Sequence, residues 1–102
     1  MGNIIRRYNI TVQKLLKEPM ELPEGAIFVG VEIRYTWVYD IFVHALVDSN
    51  TKKTEKYYFR TYWVGKGFEE KEIEKGFTYL GSASTNYSDD ENILVHVFYR
   101  KM

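Results

Sequence analysis

His44 and His96 are the only histidines in this 102-residue chain, and imidazole is the side chain that ordinarily titrates near neutral pH. Each sits in an alternating apolar run, Phe42-Val43-His44-Ala45-Leu46 and Leu94-Val95-His96-Val97-Phe98. On a strand, His44 shares a face with Phe42 and Leu46, and His96 with Leu94 and Phe98. Were the two halves of the chain packed about a two-fold axis, both rings could approach it and share a metal ion or a proton. Two ligands alone do not make a zinc site. The favoured reading is plainer: each is a strand histidine with one hydrogen-bonded nitrogen, and no metal is expected.

The other polar groups offer less chemistry. Glu69, Glu70, Glu72 and Glu74 alternate with Lys71 and Lys75, as on a solvated helix face with i,i+3 and i,i+4 pairs. Asp89-Asp90-Glu91 lacks the spacing of a calcium loop. Gly65-Lys66-Gly67 is a fragment of a phosphate loop without its GxxxxGK[ST] frame. Ser82, Ser84 and Ser88 have no GxSxG context. No nucleophile, base and orienting group can be assembled, so neither catalytic residues nor a cofactor are expected.

Aromatic side chains are the real surplus, 17% of the chain. Tyr35, Trp37 and Tyr39 cluster at one hairpin. Tyr57, Tyr58, Phe59, Tyr62 and Trp63 cluster on one strand, with Tyr57, Phe59 and Trp63 on one side and Tyr58, Arg60 and Tyr62 on the other. Strands favour such residues in any case. Rings on both sides of a strand nevertheless exceed what one core absorbs, and Tyr, Trp and Arg are the usual anchors of interfaces. Tyr35, Trp37, Tyr39, Tyr58, Tyr62 and Trp63 are therefore the candidate partner-binding residues. Rings beside Arg60 could instead stack on bases.

Strands must position these groups. The pattern predicts strands over Ile4–Val12, Ala26–Ile33, Ile41–Val47, Lys56–Val64, Phe77–Ser84 and Ile93–Arg100, from β-branched and alternating residues. Two short helices are expected: one in the VQKLLKE stretch ending before Pro19, and one over Phe68–Lys75, closed by Gly76. Leu22-Pro23-Glu24-Gly25 reads as a turn. The polar stretch Asp48–Lys53 is the best boundary between halves.

The two halves overlay. Gly25 and Gly30 fall on Gly76 and Gly81 at an offset of 51, and Ile41–Leu46 fall on Ile93–Phe98 at an offset of 52. Alternation alone does not place glycines and a histidine in register. The expected fold is thus α+β and β-dominated: one domain over 1–102, holding two similar antiparallel sub-motifs (about 1–50 and 51–102) from an internal duplication, packed with pseudo-two-fold symmetry. Three strands with one apolar face are marginal alone, and the seam between two such units is a natural ligand groove.

Composition narrows the partners. Fourteen basic and fourteen acidic residues give a net charge of zero, without the basic excess of proteins held on phosphates. The lack of cysteine removes disulfides, thiolate zinc sites and a cysteine nucleophile. No apolar run has the length of a membrane span, and Met1–Tyr8 does not read as a secretory signal, so a cytoplasmic protein is expected. A single glutamine and no cysteine beside many Lys and Glu fit a hyperthermophilic source; five asparagines weigh against it.

Leu22-Pro23-Glu24-Gly25-Ala26-Ile27-Phe28-Val29-Gly30-Val31, Tyr79-Leu80-Gly81 and Val95-His96-Val97-Phe98 together resemble a family of small phage and prokaryotic proteins of unknown function. Length, composition and the repeated halves also resemble the small orphan proteins of archaeal filamentous viruses. The resemblance implies a viral protein acting in the cytoplasm of a host cell, and supplies no catalytic residues. The expected function is a non-enzymatic protein–protein interaction module that takes a protein or extended peptide in a groove between the repeats. One alternative is a single-stranded nucleic-acid binder, which requires Lys14, Lys17, Arg34, Lys52, Lys53 and Arg60 to converge on an aromatic surface. Another is a small antagonist of host defence that binds a nucleotide as a dimer, with His44 or His96 in a pocket.

Overall fold

A computed structural model describes residues 2–11, 18–35, 37–65, 68–88 and 91–102. Among the described residues seven strands follow one another: β1 (Asn3–Asn9), β2 (Met20–Pro23), β3 (Ile27–Tyr35), β4 (Tyr39–Asp48), β5 (Thr54–Val64), β6 (Thr78–Ser88) and β7 (Glu91–Lys101). They form a three-stranded sheet in the order β1-β4-β3 and a four-stranded sheet in the order β2-β5-β7-β6. Every described pairing is antiparallel.

Alternation explains the packing. Ile41, Val43, Ala45 and Val47 of β4 are buried, as are Ile93, Val95 and Val97 of β7 and Tyr57 and Phe59 of β5. Their intervening neighbours point away from the core. Ile10 and Leu22 belong to the same buried cluster. Phe28 of β3 bridges the sheets, its ring 5.3 Å from Tyr57 and 5.7 Å from Phe59, both edge-on, the arrangement aromatic quadrupoles favour. Each aliphatic side chain so buried contributes about 1.5–3 kcal/mol relative to exposure.

The domain is all-β, which corrects the α+β expectation: no helix occurs among the described residues. The VQKLLKE stretch lies almost wholly at 12–17, outside the described residues. Phe68–Lys75 is described, and it is a strap without helix, irregular over 68–74 and turning at Lys75-Gly76. Eight residues make a marginal helix in water, and tertiary contacts win here. Phe68 stacks on Trp63 at 5.3 Å. Six residues on, the Glu74 N–H donates to the Tyr62 hydroxyl at 2.9 Å, and the Glu74 carboxylate accepts from Arg60 Nε at 2.9 Å. Helical spacing would not present both groups to one sheet.

The predicted turn over Leu22-Pro23-Glu24-Gly25 is corrected in its first half: Glu24-Gly25 form the turn, whereas Leu22 and Pro23 end a strand, Met20–Pro23, paired with β5. Pro23 is tolerated because β2 is an edge. This strand, from the first half of the chain, joins the second sheet, so the halves interlock.

Both halves otherwise follow one path. The sequence β1, β3, β4 is laid out as β1-β4-β3, and β5, β6, β7 as β5-β7-β6. Gly25 and Gly76, each two residues before a strand, have φ of 82° and 89°, a conformation that costs glycine little. The register slips by one residue between Phe28 and Gly30, and again between Tyr79 and Gly81. Val29 and Leu80 are the bulged residues.

Candidate functional site

Alternation on β4 and β7 sends His44 and His96 to opposite outer faces, because Val43, Ala45, Val95 and Val97 fill the core between them. They share no axis. His44 Nε2 lies 2.9 Å from Glu32 Oε1, and Glu32 also meets Arg7 and Arg34 at 3.6 and 3.5 Å. The hydrogen bond from His44 is the main cause that holds the Glu32 carboxyl below its usual 4.5; burial opposes it, and the Arg7 and Arg34 charges add to it. His96 Nδ1 lies 3.0 Å from the Tyr79 hydroxyl. Each histidine thus has one hydrogen-bonded nitrogen. Among the described residues no three metal-binding side chains come together.

The aromatics divide. Tyr35, Tyr39, Trp63 and Phe68 form a ladder at one end of the sandwich, with ring centroids 4.7, 5.4 and 5.3 Å apart in turn. Tyr35 and Tyr39 flank the β3–β4 turn in direct register. Trp63 stands near the end of β5, just before Gly65 breaks the strand and Phe68 folds back on it. Beyond the ladder Trp37 is 93% exposed, and Val38, Val64 and Ile73 are also exposed.

A cleft of about 650 Å³ opens beside the ladder, between β5, β7 and the 68–73 strap. Trp63, Phe68, Val64 and Ile73 supply apolar wall, while Tyr62, His96, Glu69, Glu70 and Lys71 supply polar groups. That mixture suits a ligand site. Of the six candidates, Tyr35, Trp37, Tyr39 and Trp63 gather at this end, and Tyr62 lines the cleft. Tyr58 lies elsewhere, on the outer face of the second sheet under the Arg100 guanidinium at 5.3 Å. The carboxylates behave as expected of a solvated segment, apart from Glu74.

Phe68 and Ile73 lie in a segment whose composition predicts a helix, which conceals them in the sequence as lining residues of the cleft. The available signal was Phe68 following directly on the strand break at Gly65-Lys66-Gly67.

The described members of the basic set named for a nucleic-acid surface do not converge. Arg34 is on the outer face of the first sheet beside Glu32. Arg60 is on the outer face of the second, over the Phe77 ring at 4.8 Å. Lys52 and Lys53 follow the β4 strand. Lys14 and Lys17 lie outside the described residues. Among the described residues no helix is long and apolar enough to cross a membrane.

The whole chain, residues 1–102, matches one family, described as a domain of unknown function (DUF7352). The chain belongs to that family. Neither a curated protein nor a solved structure matches it. This DUF7352 domain therefore displays, at one end, a contiguous aromatic surface built from both halves of the chain: Tyr35 and Tyr39 from the first, Trp63 and Phe68 from the second.

Proposed function

We propose that this DUF7352 domain is a non-enzymatic protein–protein interaction module, of viral origin and acting in the host cytoplasm. Its aromatic end is the partner-binding surface, in the groove where the duplicated halves meet. The exposure of Trp37 carries this reading. A tryptophan on a turn, 93% exposed and flanked by the exposed Tyr35 and Val38, leaves more apolar area in water than an isolated surface residue. Buried against a partner, Trp and Tyr are the residue types that dominate binding energy.

The test is affinity capture from host lysate with the tagged wild-type chain and with Trp37→Ala, with and without nuclease. A protein retained after nuclease and lost with Trp37→Ala supports the module. Proteins that disappear on nuclease treatment, or capture indifferent to Trp37, overturn it.

A further inference from the structure

The two sheets differ by one strand. β5 has β2 on its outer side, whereas β1, which occupies the matching place in the first sheet, has no neighbour beyond β4 among the described residues. We infer that β1 is a docking edge that takes an extended acidic peptide of a partner protein as the fourth strand of this sheet.

An exposed edge is a template for another strand, and proteins protect edges with proline, bulges, short length or charge. The other edges carry such protection. β2 has four residues and ends in Pro23. β3 is bulged at Val29 and β6 at Leu80. These two edges also press on each other closely enough that a Cβ at Gly81 would lie 3.2 Å from Val31 Cγ2. β1, by contrast, keeps an unbroken register with β4 over all seven residues and contains neither proline nor glycine; its protection is the charge of Arg6 and Arg7, which an acidic strand would neutralise.

Which backbone groups are free follows from the ladder. Ile10 N–H donates to Ile41 O at 2.9 Å, and Ser49 N–H donates to Gly2 O at 2.7 Å. Hydrogen-bonded pairs alternate along an antiparallel ladder. Residues 4, 6 and 8 therefore bond to β4, and Ile5 and Arg7 turn their N–H and C=O groups outward.

Side chains set the partner's chemistry. Ile5 lies opposite Leu46, and Leu46 opposite Ile27, in one row across the outer face. Ile5 is 63% and Ile27 59% exposed, so an apolar residue placed opposite Ile5 would extend that row. Arg7 shares the single carboxylate of Glu32 with Arg34. Arg6 makes no ion pair among the described residues. The edge is thus basic at two successive positions. In antiparallel addition the complementary segment reads acid-acid-apolar, opposite Arg7, Arg6 and Ile5 in turn. The same charges oppose pairing of two copies, because β1 laid antiparallel on itself in full register sets Arg6 against Arg6.

The experiment is amide hydrogen exchange by NMR on the full chain with two capped nonapeptides, Thr-Val-Thr-Glu-Glu-Val-Thr-Val-Thr and its version with lysines in place of the glutamates. The acidic peptide should slow exchange at Ile5 and Arg7 about tenfold, leave Ile4 and Arg6 (already bonded to β4) unchanged, and weaken with salt. Ile5→Pro removes one outward donor without touching the β4 ladder and should abolish the effect. Should that variant fold poorly, Arg6→Glu, at an exposed side chain without an ion pair, should weaken the acidic peptide about tenfold and favour the lysine peptide. Trp37→Ala should bind the acidic peptide normally, which separates this edge from the aromatic end. No slowing at Ile5 and Arg7, equal response to both peptides, or protection that appears with protein concentration alone (a second copy on the edge) overturns the inference.

Discussion

The Tyr39 ring, from the first half of the chain, lies 5.4 Å from the Trp63 ring, from the second. That contact joins β4 of the first sheet to β5 of the second. Trp63 is thus a packing residue, whereas Trp37 is 93% exposed. Trp63→Ala should destabilise the domain by about 3 kcal/mol, near the low end for a large aromatic because Trp63 is only partly buried. Trp37→Ala should stay within about 0.5 kcal/mol of wild type, as surface substitutions do. Urea unfolding of the two variants checks both values.

The Glu55–Lys101 ion pair ties β5 to the end of β7, and the Gly25 N–H donates to Glu55 at 2.8 Å. The Lys101 hydrogen bond, then the Gly25 N–H, pull the Glu55 carboxyl below 4.5, while Glu55 raises Lys101 above 10.5. A lowered acid stabilises the fold above its unfolded pKa and loses that contribution as pH falls through the folded value. A raised base stabilises below its unfolded pKa and loses it as pH rises through the folded value. Stability curves for wild type and Glu55→Gln should be furthest apart between about pH 4.5 and 10.5, converge in acid, and draw closer in alkali as Lys101 loses its charge while the Gly25 hydrogen bond remains. A constant gap from pH 2 to 7 would contradict the assignment.

Glu32 should behave similarly on the acid side. Its lowered carboxyl contributes stability above pH 4.5, lost as pH falls through the folded value. Glu32→Gln should be less stable than wild type at pH 7 and indistinguishable from it in strong acid, as followed by thermal melts across pH.

Gly81 tests the close approach of β3 and β6. With Val31 Cγ2 only 3.2 Å from a Cβ at Gly81, Gly81→Val should cost about 1–3 kcal/mol through overpacking. Gly25→Ala meets nothing within 4 Å, but it adopts a φ of 82°; it should cost about 1 kcal/mol through the backbone alone. Chemical denaturation distinguishes the two only if both variants are measured alongside Gly81→Ala, which should fall between.

Six of the seven strands were legible in the sequence because Val, Ile and aromatic residues alternate along them. β2 was not, because four residues containing Pro23 carry turn chemistry, and only their pairing with β5 makes them a strand. The 68–75 strap has helical composition, and its real conformation is set by Arg60, Tyr62 and Trp63, residues that a local pattern does not connect to it. The site was half legible. Tyr35 and Tyr39 flank a turn and so had to meet. Trp63 joins them only because the two sheets stack, and Tyr58 leaves them because strand alternation puts it on the opposite face. The separation of His44 from His96 was implicit in Val43, Ala45, Val95 and Val97: whichever face those residues bury, the histidines take the other.

The most direct test of the aromatic end is photo-crosslinking. A benzophenone amino acid placed at position 37 should, on irradiation in host lysate treated with nuclease, give a discrete adduct with one protein, and the same probe placed at Lys52 should not. A nucleic-acid adduct, or none at position 37, would contradict the account.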